Sequence, residues 1–178
     1  AEMGARQAGD IAELCALVRP DIGLLTAIGE QHLQTFGCIE RVAAAKWELI
    51  DALPAGGLAI VNGDDARIRS RLHLATCPLL TYGLNAGNDF RADDIAYLPR
   101  GMAFTAHHGG QAARFETALL GLHNVRNILA ALALCQHLGL PMHQLRRAVK
   151  RLAPAEHRLQ LRDAGLYTVI DDAYNANA

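Results

Sequence analysis

Between Asp10 and Tyr82, short unbroken apolar runs alternate with stretches whose apolar residues recur at helical spacing. A run too short for a helix and apolar at every position is a strand buried on both faces. Such strands pair in parallel, and parallel pairing needs a crossover between them, usually a helix. The alternation therefore limits this part of the chain to an α/β layer. Ile11, Leu14, Leu17 and Val18 mark a helix over Asp10–Arg19, stopped by Pro20. Ile22–Ile28 reads as a strand and Gly29–Gly37 as a polar loop carrying His32. Val42, Ala45, Leu49 and Ala52 mark a helix over Ile39–Leu53, ahead of Pro54. Leu58–Val61 is a strand running into Asn62-Gly63-Asp64-Asp65, where Asp64 is placed to cap a helix from Asp65 to about His73. Pro78–Tyr82 is the next strand.

From Asp89 to Leu119 the pattern changes. Phe90–Asp93, Ile95–Leu98, Met102–Ala106 and Ala113–Leu119 are short runs separated by Pro99-Arg100-Gly101 and His108-Gly109-Gly110. That spacing predicts a small antiparallel sheet. Leu122, Val125, Ile128, Leu129, Leu132 and Cys135 then form the strongest helical stripe, closed by Gly139. A second helix is expected over Met142–Leu152, and a last strand pair, Arg158–Asp163 and Tyr167–Ile170, around Ala164-Gly165. The fold class is α/β, a mostly parallel sheet with flanking helices plus a small antiparallel sheet.

Hydrophobic residues make up 51% and charged residues 20%, enough for a substantial core. The net charge of −1 gives the chain as a whole no electrostatic footprint for nucleic acid or an anionic membrane. No apolar run is long enough to span a bilayer, and no secretory signal pattern is present. Cys15, Cys38, Cys77 and Cys135 are scattered, without metal spacing, and read as small buried apolar residues of a reducing, cytoplasmic compartment. Neither lysine, Lys46 or Lys150, follows a G-x-x-x-x-G-K-[ST] loop, so these residues contain no phosphate cradle of that type.

Several residues fall where α/β sheets place ligand groups, at the carboxyl ends of strands. Glu2 precedes Met3-Gly4-Ala5, and a carboxylate suits Mg²⁺; a solvated glutamate is the plain alternative. His32 follows the first strand, where an imidazole could hold a metal or phosphate, or simply lie in a loop. Lys46 stands beside three alanines, where shielding would leave an amine able to take up CO₂ as an anionic carbamate; a snorkelling surface lysine is the alternative. One carboxylate of Asn62, Asp64 and Asp65 is explained by helix capping, and a turn facing a ligand could explain the others. Asn124 and Asn127 lie three apart at the start of the long helix, whose positive end favours a nucleotide, although capping alone explains Asn124. Arg158 could grip a phosphate or carboxylate, or make a surface ion pair. Asp171-Asp172 end an apolar run in a turn of small and amide residues.

The order of these segments is more specific than any one of them. Glu2-Met3-Gly4-Ala5, Ile28 to Gly37, Ala44-Ala45-Lys46-Trp47-Glu48-Leu49, Val61 to Asp65, Gly121 to Ala131, His157-Arg158 and Asp171 to Asn177 together resemble the central ATP-binding domain of the Mur ligases. The opening and closing segments look most like the family's D-alanyl-D-alanine-adding branch. The resemblance implies a P-loop-NTPase-like sheet. It implies Glu2, His32 and Lys46, the last as a carbamate, as Mg²⁺ ligands near the ATP γ-phosphate, with Lys46 and His32 as the catalytic pair. It implies Asn124 and Asn127 on the adenine side, and Arg158 and Asp172 at the ribose and phosphates. The cofactors implied are ATP and Mg²⁺, and the substrates UDP-N-acetylmuramoyl tripeptide and D-alanyl-D-alanine. Residues 1–170 are then expected to be an incomplete central domain and 171–178 the start of the junction to a third one. Such a piece, cut from a longer enzyme with its P-loop upstream, is expected to be inactive alone. Two other readings stay open: a neighbouring Mur ligase or folylpolyglutamate synthetase, and a non-catalytic nucleotide-binding or interaction module.

Overall fold

The computed structural model describes residues 1–30 and 33–174. The chain forms two compact units, Ala1–Phe90 and the residues from Arg91 onward. In the first, helix α1 (Asp10–Val18) leads to strand β1 (Ile22–Leu25), a single helical turn α2 (Leu33–Phe36) and helix α3 (Ile39–Asp51). Strand β2 (Leu58–Asn62), the short helix α4 (Ala66–Arg69), a 3₁₀ turn at Leu72–Leu74 and strand β3 (Leu79–Gly83) follow. The strands pair in parallel, Leu24 opposite Ile60 and Ile60 opposite Leu80, as the alternation requires.

Every residue of β2 is buried, which explains its unbroken apolar run. Val61 and Ala59 join Val42, Ala45, Trp47 and Ile50 of α3 in one core with Leu25, Phe36 and Ile68. Gly23 is the contact point on β1: a Cβ there would stand 3.1 Å from Leu49 and Leu53, so α3 lies close against the strand.

Two expectations are corrected here. The loop Gly29–Gly37 contains the helical turn α2, because Phe36 buries itself in the core and draws the backbone in. The helix after β2 is capped by Asp65, not Asp64, and ends at Arg69. Asp65 is extended, and its Oδ1 accepts the amides of Arg67 (2.9 Å) and Ile68 (3.2 Å). Only Ile68 of this segment is buried, so no apolar stripe sustains a longer helix.

The second unit holds β5 (Gly101–His108) between β4 (Phe90–Leu98) and β6 (Gln111–Thr117), all antiparallel. The predicted small antiparallel sheet is therefore present, with one difference. The two runs Phe90–Asp93 and Ile95–Leu98 are a single strand, interrupted by a register shift between Asp93 and Ala96. Asp94 sits at the shift with φ 49°, a left-handed conformation that aspartate tolerates. Arg114 Nη1 donates to both its carbonyl (2.6 Å) and its carboxylate (2.7 Å). Helix α5 (Leu122–His137) buries Val125, Ile128, Leu129 and Leu132, and α6 (Met142–Lys150) buries Met142 and Val149. A separate hairpin, β7 (Gln160–Ala164) and β8 (Tyr167–Asp171), follows.

The turn after β2 is built around one carboxylate. Asp64 accepts hydrogen bonds from the amides of Leu84 (2.7 Å) and Asn85 (3.0 Å) and from Asn88 Nδ2 (2.9 Å). Gly83 leaves room for it, since a Cβ there would collide with the Asp64 carboxylate and the Asn88 amide. Asp64→Ala is expected to lower the unfolding free energy by about 3 kcal/mol, roughly two hydrogen bonds to a charged acceptor. Gly83→Ala is expected to cost about 1–3 kcal/mol by overpacking. Urea denaturation of the two variants measures both; unchanged midpoints would show that the turn does not depend on this contact.

Candidate nucleotide site

The Asn62–Asp65 turn faces backbone, not an open ligand space. Asn62 Nδ2 donates to the Thr26 carbonyl (2.8 Å), and Asn62 Oδ1 accepts the Asp64 amide (3.0 Å). Asp65 Oδ2 accepts the Ile28 amide (3.0 Å). Asp65 therefore ties down the start of the segment Gly29–Gly37, where the resemblance puts a metal ligand. Arg69 adds to this by donating from Nε to the Gly63 carbonyl at 2.8 Å, with Nη2 on the same oxygen. The reading of a ligand-facing turn is corrected: these three side chains hold the carboxyl edge of the parallel sheet in shape.

Glu2 is exposed in the irregular segment before α1, and Lys46 is half-buried on α3 between the buried Ala45 and Trp47. His32 lies outside the described residues. Glu48, close to Lys46 in sequence, serves the fold instead. Its two carboxylate oxygens accept the amides of Gly9 (2.8 Å) and Ala12 (3.1 Å). It thus caps α1, whose own N-cap residue, Gly9, has no side chain to do so. Among the described residues, no three His, Cys, Asp or Glu converge on a common point. Mg²⁺ does not require that, because it takes one or two carboxylates and completes its shell with water and phosphate oxygens. The exposed Glu2 carboxylate is a donor of the kind such a shell uses, and Lys46 would join it only as the carbamate that the resemblance implies.

On α5, Asn124 is half-buried and Asn127 exposed one turn on. The helix starts at Leu122 after Gly121, so Asn124 is not its cap. Its Nδ2 instead donates to the Leu120 carbonyl (2.7 Å), which fixes the amide plane within the first turn.

Arg158 and Asp172 are brought together across the base of the β7–β8 hairpin. Asp172 Oδ1 accepts the Leu159 amide (3.2 Å), and the Tyr174 amide donates to the His157 carbonyl (3.1 Å). His157 and Leu159 on either side of Arg158 are left-handed, with φ 59° and 45°. Non-glycine residues persist there only when the surroundings hold them. The guanidinium of Arg158 lies 4.0 Å over the Tyr174 ring, so Tyr174 belongs to this cluster, which the sequence motif contained but did not single out. Asp171 is bound to His157 Nδ1 and Arg162 Nε, each at 2.9 Å. The His157 hydrogen bond, followed by the Ala173 amide and the Arg162 charge, holds its carboxyl below the usual range.

A cleft of about 630 Å³ between α1 and the end of α3 is lined by Arg19, Asp21, Glu48 and Asp51. It lies at the amino end of β1 and contains none of the candidate ligand-binding residues Glu2, Lys46, Asn124, Asn127, Arg158 and Asp172. Cys15 lines it, and burial pushes its thiol up, as for an inert core cysteine. Cys77 is buried too, but Cys38 is exposed and Cys135 half-buried, so the expectation of four buried cysteines holds for two.

Parallel strands joined by helices, followed by an antiparallel run and two helices, define an α/β domain with a mostly parallel sheet. The chain belongs to the Mur ligase family: residues 1–135 match the Mur ligase middle domain. It is 35% identical over 178 residues to the UDP-N-acetylmuramoyl-tripeptide--D-alanyl-D-alanine ligase of Bacillus subtilis, covering 99% of this chain and 38% of that protein. It is 37% identical over 146 residues to the UDP-N-acetylmuramoyl-L-alanyl-D-glutamate--2,6-diaminopimelate ligase of Chlamydia caviae, covering 82% and 30%. The crystal structure of the MurF ligase from Thermotoga maritima in complex with ADP superposes with a TM-score of 0.88 at 26% identity, covering 98% of this chain and 40% of that one. The chain thus spans well under half the length of these relatives.

The lowered Asp171 carboxyl carries a sign. A depressed folded-state value contributes stability above the ordinary aspartate range, and that contribution is lost as pH falls through the depressed value. His157→Ala is expected to move the Asp171 midpoint up toward the ordinary value, read by carboxyl-carbon NMR titration. An unmoved midpoint would show that His157 does not hold this carboxylate.

Proposed function

We propose that this chain is most of the central nucleotide-binding domain of a cytoplasmic, ATP-dependent ligase of peptidoglycan precursor synthesis. In this reading residues 1–170 form the incomplete domain and 171–178 begin the junction to a third one. The reaction assigned to the whole ligase is the joining of D-alanyl-D-alanine to a UDP-N-acetylmuramoyl tripeptide. A tripeptide carboxylate oxygen attacks the γ-phosphorus of ATP, ADP leaves, and an acyl phosphate results. The amine nitrogen of D-alanyl-D-alanine then attacks the acyl carbon, the bond to the phosphate oxygen breaks, and the amine gives up its proton. The observation that carries the reading is the likeness to the ADP-bound Thermotoga maritima ligase over nearly the whole chain.

Each residue has a part in this proposal. Glu2, His32 and carbamylated Lys46 hold Mg²⁺, which would offset the charge of the transferring phosphoryl group. Asp65 positions the loop that bears His32. Asn124 and Asn127 meet the adenine, while Arg158 and Asp172 meet the ribose and phosphates. The Chlamydia caviae relative favours a second reading, a ligase for 2,6-diaminopimelate. Assaying the intact ligase with each amine separates the two.

Because the 178 residues contain no G-x-x-x-x-G-K-[ST] loop, the chain alone is expected to hydrolyse no ATP. With that loop's main phosphate contacts missing, it should bind adenosine and ATP about equally weakly, chiefly through Asn124, Asn127 and the ribose contact of Asp172. Calorimetric titration showing ATP far tighter than adenosine would overturn this assignment of contacts.

In the intact ligase, Lys46→Ala is expected to abolish most activity, with partial rescue by added bicarbonate or a short carboxylate. Lys46→Arg should fail, since arginine keeps its charge and cannot become a carbamate. Full activity in the arginine variant would remove Lys46 from the metal site.

A further inference from the structure

The near-zero net charge conceals a segregation. From Thr117 to Ala155 the sequence has Arg126, Arg146, Arg147, Lys150 and Arg151 and no aspartate or glutamate. Most of these basic residues lie on or just after α6. That helix buries Met142 and Val149, with Leu145 half-buried beside them. At helical spacing, Arg146, Lys150, His143, Arg147 and Arg151 then follow one another around a single flank. Gln144 and Ala148 take the opposite flank, so the basic side is one continuous stripe.

All five residues of the stripe are exposed. Lys150 pairs with Glu116 at 3.1 Å. Among the described residues, Arg146, Arg147 and Arg151 hold no carboxylate. Exposed leucines bracket the helix: Leu138 (62% exposed) and Leu140 (46%) before it, and Leu152 (41%) after it.

We propose that this stripe is a docking surface for an anionic phospholipid membrane. Planar guanidinium groups match lipid phosphates in a two-pronged geometry. Leu138 and Leu140, exposed just before the helix, supply the shallow apolar anchors that a peripheral contact with a bilayer uses. Single-stranded nucleic acid is the poorer match, because α6 carries no aromatic residue on which a base could stack. The contact is electrostatic at its core and so reversible and salt-sensitive. It is independent of the nucleotide assignment, since none of its residues belongs to that site.

The test is co-sedimentation of the 178-residue chain with phosphatidylcholine vesicles, with and without phosphatidylglycerol, at low and high salt. Binding is expected only with phosphatidylglycerol and only at low salt. Each arginine is worth about fivefold at such a surface, so the triple variant Arg146→Gln, Arg147→Gln, Arg151→Gln should bind roughly a hundredfold more weakly. Arg67→Gln, on α4, should bind as the parent does. Leu138→Ser with Leu140→Ser should weaken vesicle binding while leaving any binding to poly-glutamate unchanged. Circular dichroism of each variant confirms its folding; all these positions are exposed. Binding to poly-glutamate or duplex DNA without binding to vesicles would overturn the proposal in favour of another acidic partner. Absence of binding, or binding untouched by the triple variant, would overturn it outright.

Discussion

The first unit depends on what happens where β2 ends. A buried strand delivers its last residues to the sheet edge with backbone groups on both sides needing partners. Asn62 and Asp65 supply them to the loop after β1, and Asp64 to the segment after β3. Each carboxylate accepts several backbone amides, the arrangement in which an ionised acceptor is worth most and is least expendable. One four-residue turn thus sets the shape of both neighbouring loops. The start of one loop, at Ile28, and the exit of the other, at Leu84 and Asn85, are held by side chains and not by a sheet ladder.

The same economy appears at the base of the β7–β8 hairpin. A two-stranded hairpin is marginal in water by itself. Here Asp171 and Asp172 bind back to His157, Leu159 and Arg162, and Tyr174 receives the Arg158 guanidinium. These exposed contacts are individually weak, yet they share one short segment whose backbone is left-handed on both sides of Arg158. The arginine is presented at one place because its neighbours have few other conformations left. Pre-ordering of that kind lowers the cost of binding for any ligand the arginine takes, since the ordering is met before the ligand arrives.

Charge shows how an average misleads. A net charge of −1 argues against any polyanion partner, and so it reads from composition. Helical geometry gathers the arginines of α6 on one flank, while the balancing carboxylates lie elsewhere in the sequence. Surface potential depends on where charges stand within a screening length, and the sum over the chain carries no such information.

The elements of this fold were largely legible from sequence, because the period of apolar residues is local information. β2 and α3 were found within a residue or two on that basis, and so was the switch to antiparallel strands after Asp89. The functional candidates were legible as an ordered series of short motifs. What the period did not carry was which polar group meets which. Asp64 and Asp65 are adjacent and chemically identical in sequence, yet one anchors the exit of β3 and the other caps α4 and holds the loop after β1. Likewise Glu48 reads as a neighbour of Lys46 but serves α1, 36 and 39 positions away. Hydrophobic pattern fixes which face of an element is buried, and that follows from a few consecutive residues. Hydrogen-bond partners are chosen at distances of about 3 Å between segments far apart in the chain, so only the assembled tertiary structure decides them.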